Sequence, residues 1–203
     1  MEENKKINKT KKIILNILSY LLIVIMVLFL GVKINFSKVA VSGQSMYPTL
    51  VGDSSKGFEY GYTDRFLFKI FGLDRYDIVV VDPPSTASVE GDLWIKRLIG
   101  MPNETIQIKD GSVYIDDKLL ENDPFKDIYI ENSGIASEKI TLGEDEYFVM
   151  GDNRNNSKDS RRKEVGVFKY SQIYGRGFIS RGICSDKHCD SKIEKHNYIV
   201  KGW

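Results

Sequence analysis

The segment Ser42-Gly43-Gln44-Ser45-Met46-Tyr47-Pro48 sets a serine beside a proline-fixed turn, with a glycine two residues earlier that permits close backbone approach. A hydroxyl so placed is a candidate nucleophile if a base can take its proton. Standing alone, the segment reads better as an ordinary strand-to-turn junction. The nucleophile elbow of α/β-hydrolases is excluded, because it needs Gly two residues after the serine, where this chain has Tyr47. A Ser-His-Asp triad needs a histidine, and the chain has only His188 and His196, both near the C-terminus.

Without histidine, a serine can be activated by a neutral lysine kept where its charged form is disfavoured. Lys96 is the candidate. Along Leu93-Trp94-Ile95-Lys96-Arg97-Leu98-Ile99 alternate side chains face opposite sides of a strand, so Trp94, Lys96 and Leu98 share a face and Arg97 points away. The competing reading is a lysine snorkelling from an edge strand. A third polar constellation, Gly151-Asp152-Asn153-Arg154-Asn155-Asn156-Ser157-Lys158-Asp159-Ser160-Arg161, follows the apolar run EYFVM. A calcium loop is excluded by Arg154 and Ser157, which stand where such a loop wants Asp or Asn and Gly. Ser160-Arg161-Arg162-Lys163 matches S-x-x-K of β-lactamases, but no S-D-N or K-T-G follows it, so the match is taken as chance.

These segments must be carried by strands. KINFSKVAVSG, YDIVVVD, DLWIKRLIG, ETIQIKDGSVYIDDKLL, EYFVMGD and IYGRGFIS are short β-rich runs broken by Gly, Asn and Asp. Asp110-Gly111 between ETIQIK and SVYID signals a hairpin. The expectation is an antiparallel, mostly β domain over residues 33–203. Residues 51–75, rich in Gly and aromatics, fit no strand pattern, and RFLFKIFGL reads as a short amphipathic helix or as a loop touching a membrane surface.

The composition places this domain. Of 203 residues, 42% are hydrophobic and 28% charged with only 5 Pro, which excludes disordered, collagenous and disulfide-scaffold chains. Residues 1–12 hold five Lys and two Glu, residues 13–32 hold no charge, and residues 33–203 hold 24 basic and 26 acidic side chains. No basic body remains to bind nucleic acid. The uncharged 20 residues span, as a helix, roughly the 30 Å of a bilayer's hydrocarbon. A cleavable signal sequence is the rival, but its apolar region is usually shorter. The expected layout is therefore a basic cytoplasmic tail (1–12), one transmembrane helix (13–32) and an extracytoplasmic domain (33–203) in the cell membrane, the Lys-rich flank staying inside. Cys184 and Cys189 form C-x4-C in a segment that should face an oxidising exterior, so a disulfide is expected, contributing only about 2 kcal/mol for so short a loop.

The three polar segments, in this order after an N-terminal span, resemble the type I signal peptidases, the membrane-bound Ser/Lys endopeptidases of the S26 class. SGQSMYPTL is similar to their nucleophile box, YDIVVVD to the short strand box, IKRLIGMP to the general-base box and GDNRNNSKDSR to the closing box. The resemblance implies an antiparallel β catalytic domain of the signal-peptidase type, with Ser45 as nucleophile and Lys96 as general base. It further implies that Ser157 orients Lys96, that Asp159 and Arg161 form a salt bridge holding the closing loop, and that Val39, Val41, Met46, Leu50, Trp94 and Ile95 line shallow substrate pockets. Its implied partners are secretory preproteins with their signal peptides, the lipid bilayer and a nearby secretion translocon. No cofactor and no metal are implied.

Three departures stand out. The hydroxyl that some members place two residues before the nucleophile is Gly43 here, leaving the Ser45 backbone N–H as the oxyanion donor that carries over. The usual Gly-Asp of the strand box reads Tyr76-Asp77, and the usual Pro-Gly-Asp after the lysine box reads Pro102-Asn103-Glu104. Two other readings remain open: a membrane-anchored relative serving as a binding or pilus-assembly factor, and a self-cleaving repressor, which would need a DNA-binding domain where this chain has a span.

Overall fold

A 34-residue helix, α1 (Glu2–Asn35), opens the chain in the computed structural model, which describes residues 2–53, 55–88, 91–185 and 199–200. Its stretch Lys11–Asn35 contains an 18-residue window of mean hydropathy 2.9 and, among the described residues, forms the one helix long and apolar enough to cross a membrane. Helix continues through Lys33-Ile34-Asn35, which the β-rich pattern assigned to a strand. Nothing there breaks the helix, and Lys33 in the last turn complements its dipole. The chain divides into two compact units, residues 1–37 and 38–203.

The second unit is built on antiparallel strands. Its larger sheet runs β1 (Phe36–Ala40), β3 (Gly57–Asp64), β12 (Ile173–Cys184), β4 (Ile78–Val81), β5 (Trp94–Gly100), β10 (Glu146–Met150) and β11 (Phe168–Lys169), with β2 (Gly52–Asp53) on β3 and β13 (Ile199–Val200) on β12. A smaller sheet runs β8 (Lys118–Leu119), β7 (Ser112–Ile115), β6 (Thr105–Lys109) and β9 (Ile140–Thr141). The mostly β, antiparallel fold expected from the short runs is thus the fold observed.

Side-chain alternation divides the core among these strands. Ile78 and Val80 of β4 enter a cluster with Val41, Met46, Leu50, Ile95 and Phe178, whereas Val79 and Val81 enter another with Phe68, Leu98, Val149 and Phe168. Both faces of β4 are buried, which is why it reads as unbroken IVVV. Phe148 and Met150 of β10 reach a third cluster, where Ile106, Ile108, Val113 and Ile115 of the smaller sheet pack on Ile99. The β6–β7 hairpin turns at Asp110-Gly111, both with positive φ, and pairs Lys109 with Ser112 as the turn signal predicts. A Cβ on Gly111 would also run into the Tyr129 ring.

Residues 51–75 differ from expectation. Most of 52–64 forms β2 and β3, and RFLFKIFGL contains only the single helical turn α2 (Phe68–Phe71). That turn is set by Asp64, fully buried, whose carboxylate accepts the backbone N–H groups of Phe66, Leu67 and Phe68 at 2.8–2.9 Å. The aromatic residues that obscured the strand pattern pair along β3, where Tyr60 and Tyr62 meet edge to face.

Candidate active site

Ser45 stands in a tight turn between β1 and β2. Met46 and Leu50, four residues apart and joined by a Leu50 N–H to Met46 carbonyl bond of 2.9 Å, plunge into the core and anchor the turn. The Val41 N–H to the Glu59 carbonyl (2.8 Å) and the Gly43 N–H to the Gly52 carbonyl (2.6 Å) tie its entry to the β2–β3 region.

Lys96 extends from β5, which is paired on both edges, to β4 and β10, so it is not an edge-strand lysine. It is only 4% exposed. Its Nζ donates to Ser45 Oγ at 2.8 Å and to the Ile95 carbonyl at 2.8 Å, and lies 5.5 Å from the centre of the Trp94 ring. Burial pushes its pKa down to about 8, with the nearby Asp159 and Asp152 carboxylates acting in the opposite direction. The result is an amine of unusually weak basicity against a serine hydroxyl.

The segment after β10 folds over this pair. The Asn153 N–H donates to the Ser45 carbonyl at 3.0 Å and Asn153 Nδ2 to the Gln44 carbonyl at 3.1 Å, strapping down the nucleophile turn. Arg161 grips Asp159 through Nε and Nη2 at 2.8 and 2.9 Å, and the Gly151 N–H donates to the same carboxylate at 2.9 Å. Burial alone would raise the Asp159 pKa, but the Arg161 bonds and charge and the Gly151 N–H hold it below the ordinary carboxylate value. Gly151 lies so close to its neighbours that a Cβ there would fall on Ser157 Oγ and the Ser45 carbonyl. Among the described residues Ser157 Oγ is buried without a hydrogen bond of ordinary geometry, although its hydroxyl contributes to holding the Asp159 pKa down. The bond from Ser157 to Lys96 implied by the resemblance is not among those the amine makes, which go to Ser45 and Ile95.

An open cleft of about 290 Å³ runs beside the pair, with Ala40 at the end of β1 and Val41 and Ser42 just after it, Leu93 just before β5 and Trp94 and Ile95 at its start, and Ser45, Met46, Lys96 and Lys158 completing it. Of the residues that the resemblance implies for substrate pockets, Val41, Met46, Trp94 and Ile95 border this cleft. Leu50 has no exposed surface and Val39 packs against its cluster, so both stand behind the cleft rather than in it. Cys184 is buried at the end of β12, while Cys189, His188 and His196 lie outside the described residues.

Three elements of the site escaped the sequence reading. Arg97, directly after Lys96, forks onto Asp152, which also accepts the Thr49 hydroxyl at 2.5 Å. Arg154 forks onto Asp123 at 2.6 and 2.7 Å, joining the closing segment to the smaller-sheet region. Lys158 reaches the cleft. A cation amid β-branched residues, as at Arg97, signals a buried partner, though not which one. The two departures at glycine positions are also explained: Tyr76 and Asn103 keep positive φ values of 76° and 66°, so the left-handed backbone persists without glycine. Asn adopts that conformation readily, but Tyr adopts it only under strain.

A serine hydroxyl against a buried, weakly basic lysine, beside an open cleft, is an arrangement compatible with Ser/Lys hydrolysis. The family described as signal peptidase, peptidase S26, matches residues 14–180. Signal peptidase I P of Bacillus subtilis subsp. natto is 31% identical over 180 residues, covering 86% of this chain and 89% of its own. Signal peptidase I U of Bacillus subtilis (strain 168) is 33% identical over 159 residues, covering 75% and 80%. A crystal structure of a signal peptidase I from Enterococcus faecalis V583 aligns with a TM-score of 0.40 at 32% identity, covering 51% of this chain and 94% of that one. The chain belongs to the S26 signal peptidase family.

Proposed function

We propose that this protein is a membrane-bound serine endopeptidase that removes N-terminal signal peptides from secreted preproteins after a small-x-small motif. The observation that carries the reading is the 2.8 Å approach of Lys96 Nζ to Ser45 Oγ in a site that lowers the lysine's pKa to about 8. In this reading the neutral amine takes the Ser45 proton as Oγ attacks the scissile carbonyl, and the Ser45 N–H, which donates to no acceptor among the described residues, binds the oxyanion. Collapse expels the mature protein's amine with the proton from Lys96. Water activated by the same amine then hydrolyses the acyl-enzyme and frees the signal peptide. In this reading Ser157, whose Oγ lies beside Gly151 and the Ser45 carbonyl, turns to the amine during turnover and orients it, while Asp159 and Arg161 hold the closing segment.

The two segments that flank the cleft, 40–42 at the end of β1 and 93–95 at the start of β5, suit an extended peptide that adds between them and sends alternate side chains into the floor. Shallow walls of Val41, Met46, Trp94 and Ile95 admit Ala, Gly or Ser and exclude larger groups. The Lys-rich N-terminus is cytoplasmic and the catalytic unit extracytoplasmic, near the secretion translocon, so that α1 concentrates enzyme and emerging precursor on one membrane face. Cys184 and Cys189 pair in that oxidising compartment.

Purified full-length protein in detergent should convert secretory precursors to mature chains. Ser45→Ala, Lys96→Ala and Lys96→Arg should each abolish conversion, because a guanidinium cannot shed its proton here. The His188→Ala/His196→Ala double variant should retain it. Cleavage surviving in Lys96→Ala would sink the dyad. Protease added outside spheroplasts should digest residues 38–203 and spare the N-terminus; a protected catalytic unit would sink the orientation.

A further inference from the structure

Lys158 lies one residue from each of two site residues, Ser157 and Asp159, yet its side chain leaves them for the cleft. Its Nζ is 5.7 Å from the centre of the Trp94 ring, and Lys96 Nζ is 5.5 Å from the same centre. The indole therefore has two amines within 6 Å of its centre. Their settings differ: Lys96 is buried and weakly basic, whereas Lys158 is exposed.

Lys158 does not swing freely. Its ammonium donates to the Ala87 carbonyl at 2.6 Å, and the same loop is fastened again by Thr86 Oγ1 donating to the Glu164 carbonyl at 2.9 Å. Among the described residues Lys158 has no carboxylate partner, so one of its three donors is committed and two remain for whatever occupies the cleft. The neighbouring walls, Val41, Met46, Leu93, Trp94 and Ile95, carry no charge to offset it.

Resting on the reading of the cleft as a peptide site, we infer that Lys158 makes that site charge-selective, favouring a carboxylate-bearing residue over a basic one at the peptide position that passes over Trp94. A carboxylate there accepts from the two open donors, and an ammonium or guanidinium meets a fixed like charge. For a partly exposed pair, attraction on one side and repulsion on the other should together separate Glu from Lys by about five- to tenfold in affinity.

The test uses the full-length Ser45→Ala protein in detergent and fluorescence anisotropy of labelled small-x-small peptides, so that binding is read without turnover. Glu, Gln or Lys is placed in turn at each of five positions across the scissile bond. At one position Glu should bind about five- to tenfold more tightly than Lys, with Gln between, and the spread should shrink in 0.5 M salt. Adding Lys158→Gln, which keeps a donor for Ala87 but no charge, should collapse the spread. Lys158→Arg should preserve it and Lys158→Glu should invert it, all with unchanged thermal unfolding. A spread that survives Lys158→Gln, or no spread in any peptide that binds, overturns the inference alone. No binding by any peptide overturns the proposed function with it.

Discussion

Arg97 and Asp152, the residues that follow Lys96 in β5 and Gly151 in the closing segment, are locked together by two buried hydrogen bonds, Nε to Oδ1 at 2.7 Å and Nη2 to Oδ2 at 2.6 Å. Arg97 also donates to the Tyr76 carbonyl at 2.8 Å, and Asp152 accepts from Thr49 in the nucleophile turn. One ion pair thus ties together the base strand, the nucleophile turn and the closing segment. Asp152→Ala leaves the guanidinium buried and unpaired, and should cost about 3–5 kcal/mol of stability and most of the activity. Arg97→Met/Asp152→Leu should recover much of that stability without recovering turnover. A loss below about 1 kcal/mol in Asp152→Ala, measured by thermal unfolding, would show the pair to be incidental.

Lys96 should set the pH profile. With a pKa of about 8, about one lysine in ten is neutral at pH 7 and half at pH 8, so kcat/KM should rise about fivefold over that unit and level off above pH 9. A profile already flat at pH 7 would remove Lys96 as the titrating base.

The same shift bears on stability, with a definite sign. The folded lysine, at about 8, holds fewer protons than the unfolded one, at 10.5, so folding weakens as pH falls through that window and the cost is fully present below pH 8. Lys96→Met should therefore stabilise the protein at pH 7 by about 1–3 kcal/mol while abolishing cleavage, and the gain should fade towards pH 10.5. A variant less stable than wild type at pH 7 would contradict the burial argument.

Gly151 should tolerate no side chain. A Cβ there meets the Ser45 carbonyl and Ser157, with Ser157 Cβ only 2.6 Å away. Gly151→Ala must move the nucleophile turn or the closing segment by a fraction of an ångström, enough to lower kcat about a hundredfold with KM little changed. Equal loss in both parameters would point to the cleft rather than to the dyad.

Tyr76 should invert the usual order of small substitutions. Tyr76→Gly and Tyr76→Ala lose the same ring, but only glycine adopts φ 76° without strain. Tyr76→Gly should be the more stable of the two by about 1 kcal/mol in thermal unfolding. The reverse order would mean that the backbone relaxes once the ring is gone.

Local patterns made part of this protein legible. The apolar runs EYFVM and IVVV, the alternation in DLWIKRLIG, the Asp110-Gly111 turn and the uncharged run 13–32 each report a preference of neighbouring residues, and the elements follow them. Ser45 and Lys96 were recognisable as candidates by type and setting. Residues 57–64 were not recognisable as a strand, because GFEYGYTD has no clean period of two and its pairing with β12 comes from 119 or so residues further along the chain. The closure of the site depends on the same kind of information. The hydroxyl and amine of Ser45 and Lys96 meet across 51 residues, Arg97 and Asp152 across 55, and Lys158 reaches Ala87 across 71. Sequence spacing carries no record of such meetings, because they depend on strand order and register, which are set by backbone hydrogen bonds between distant segments. Sequence alone determined which side chains could do chemistry and which strands would carry them. Only the tertiary structure decided that Lys96 would be buried deeply enough for its pKa to fall to about 8, because that burial requires β4, β10, the nucleophile turn and the closing segment to surround it at once.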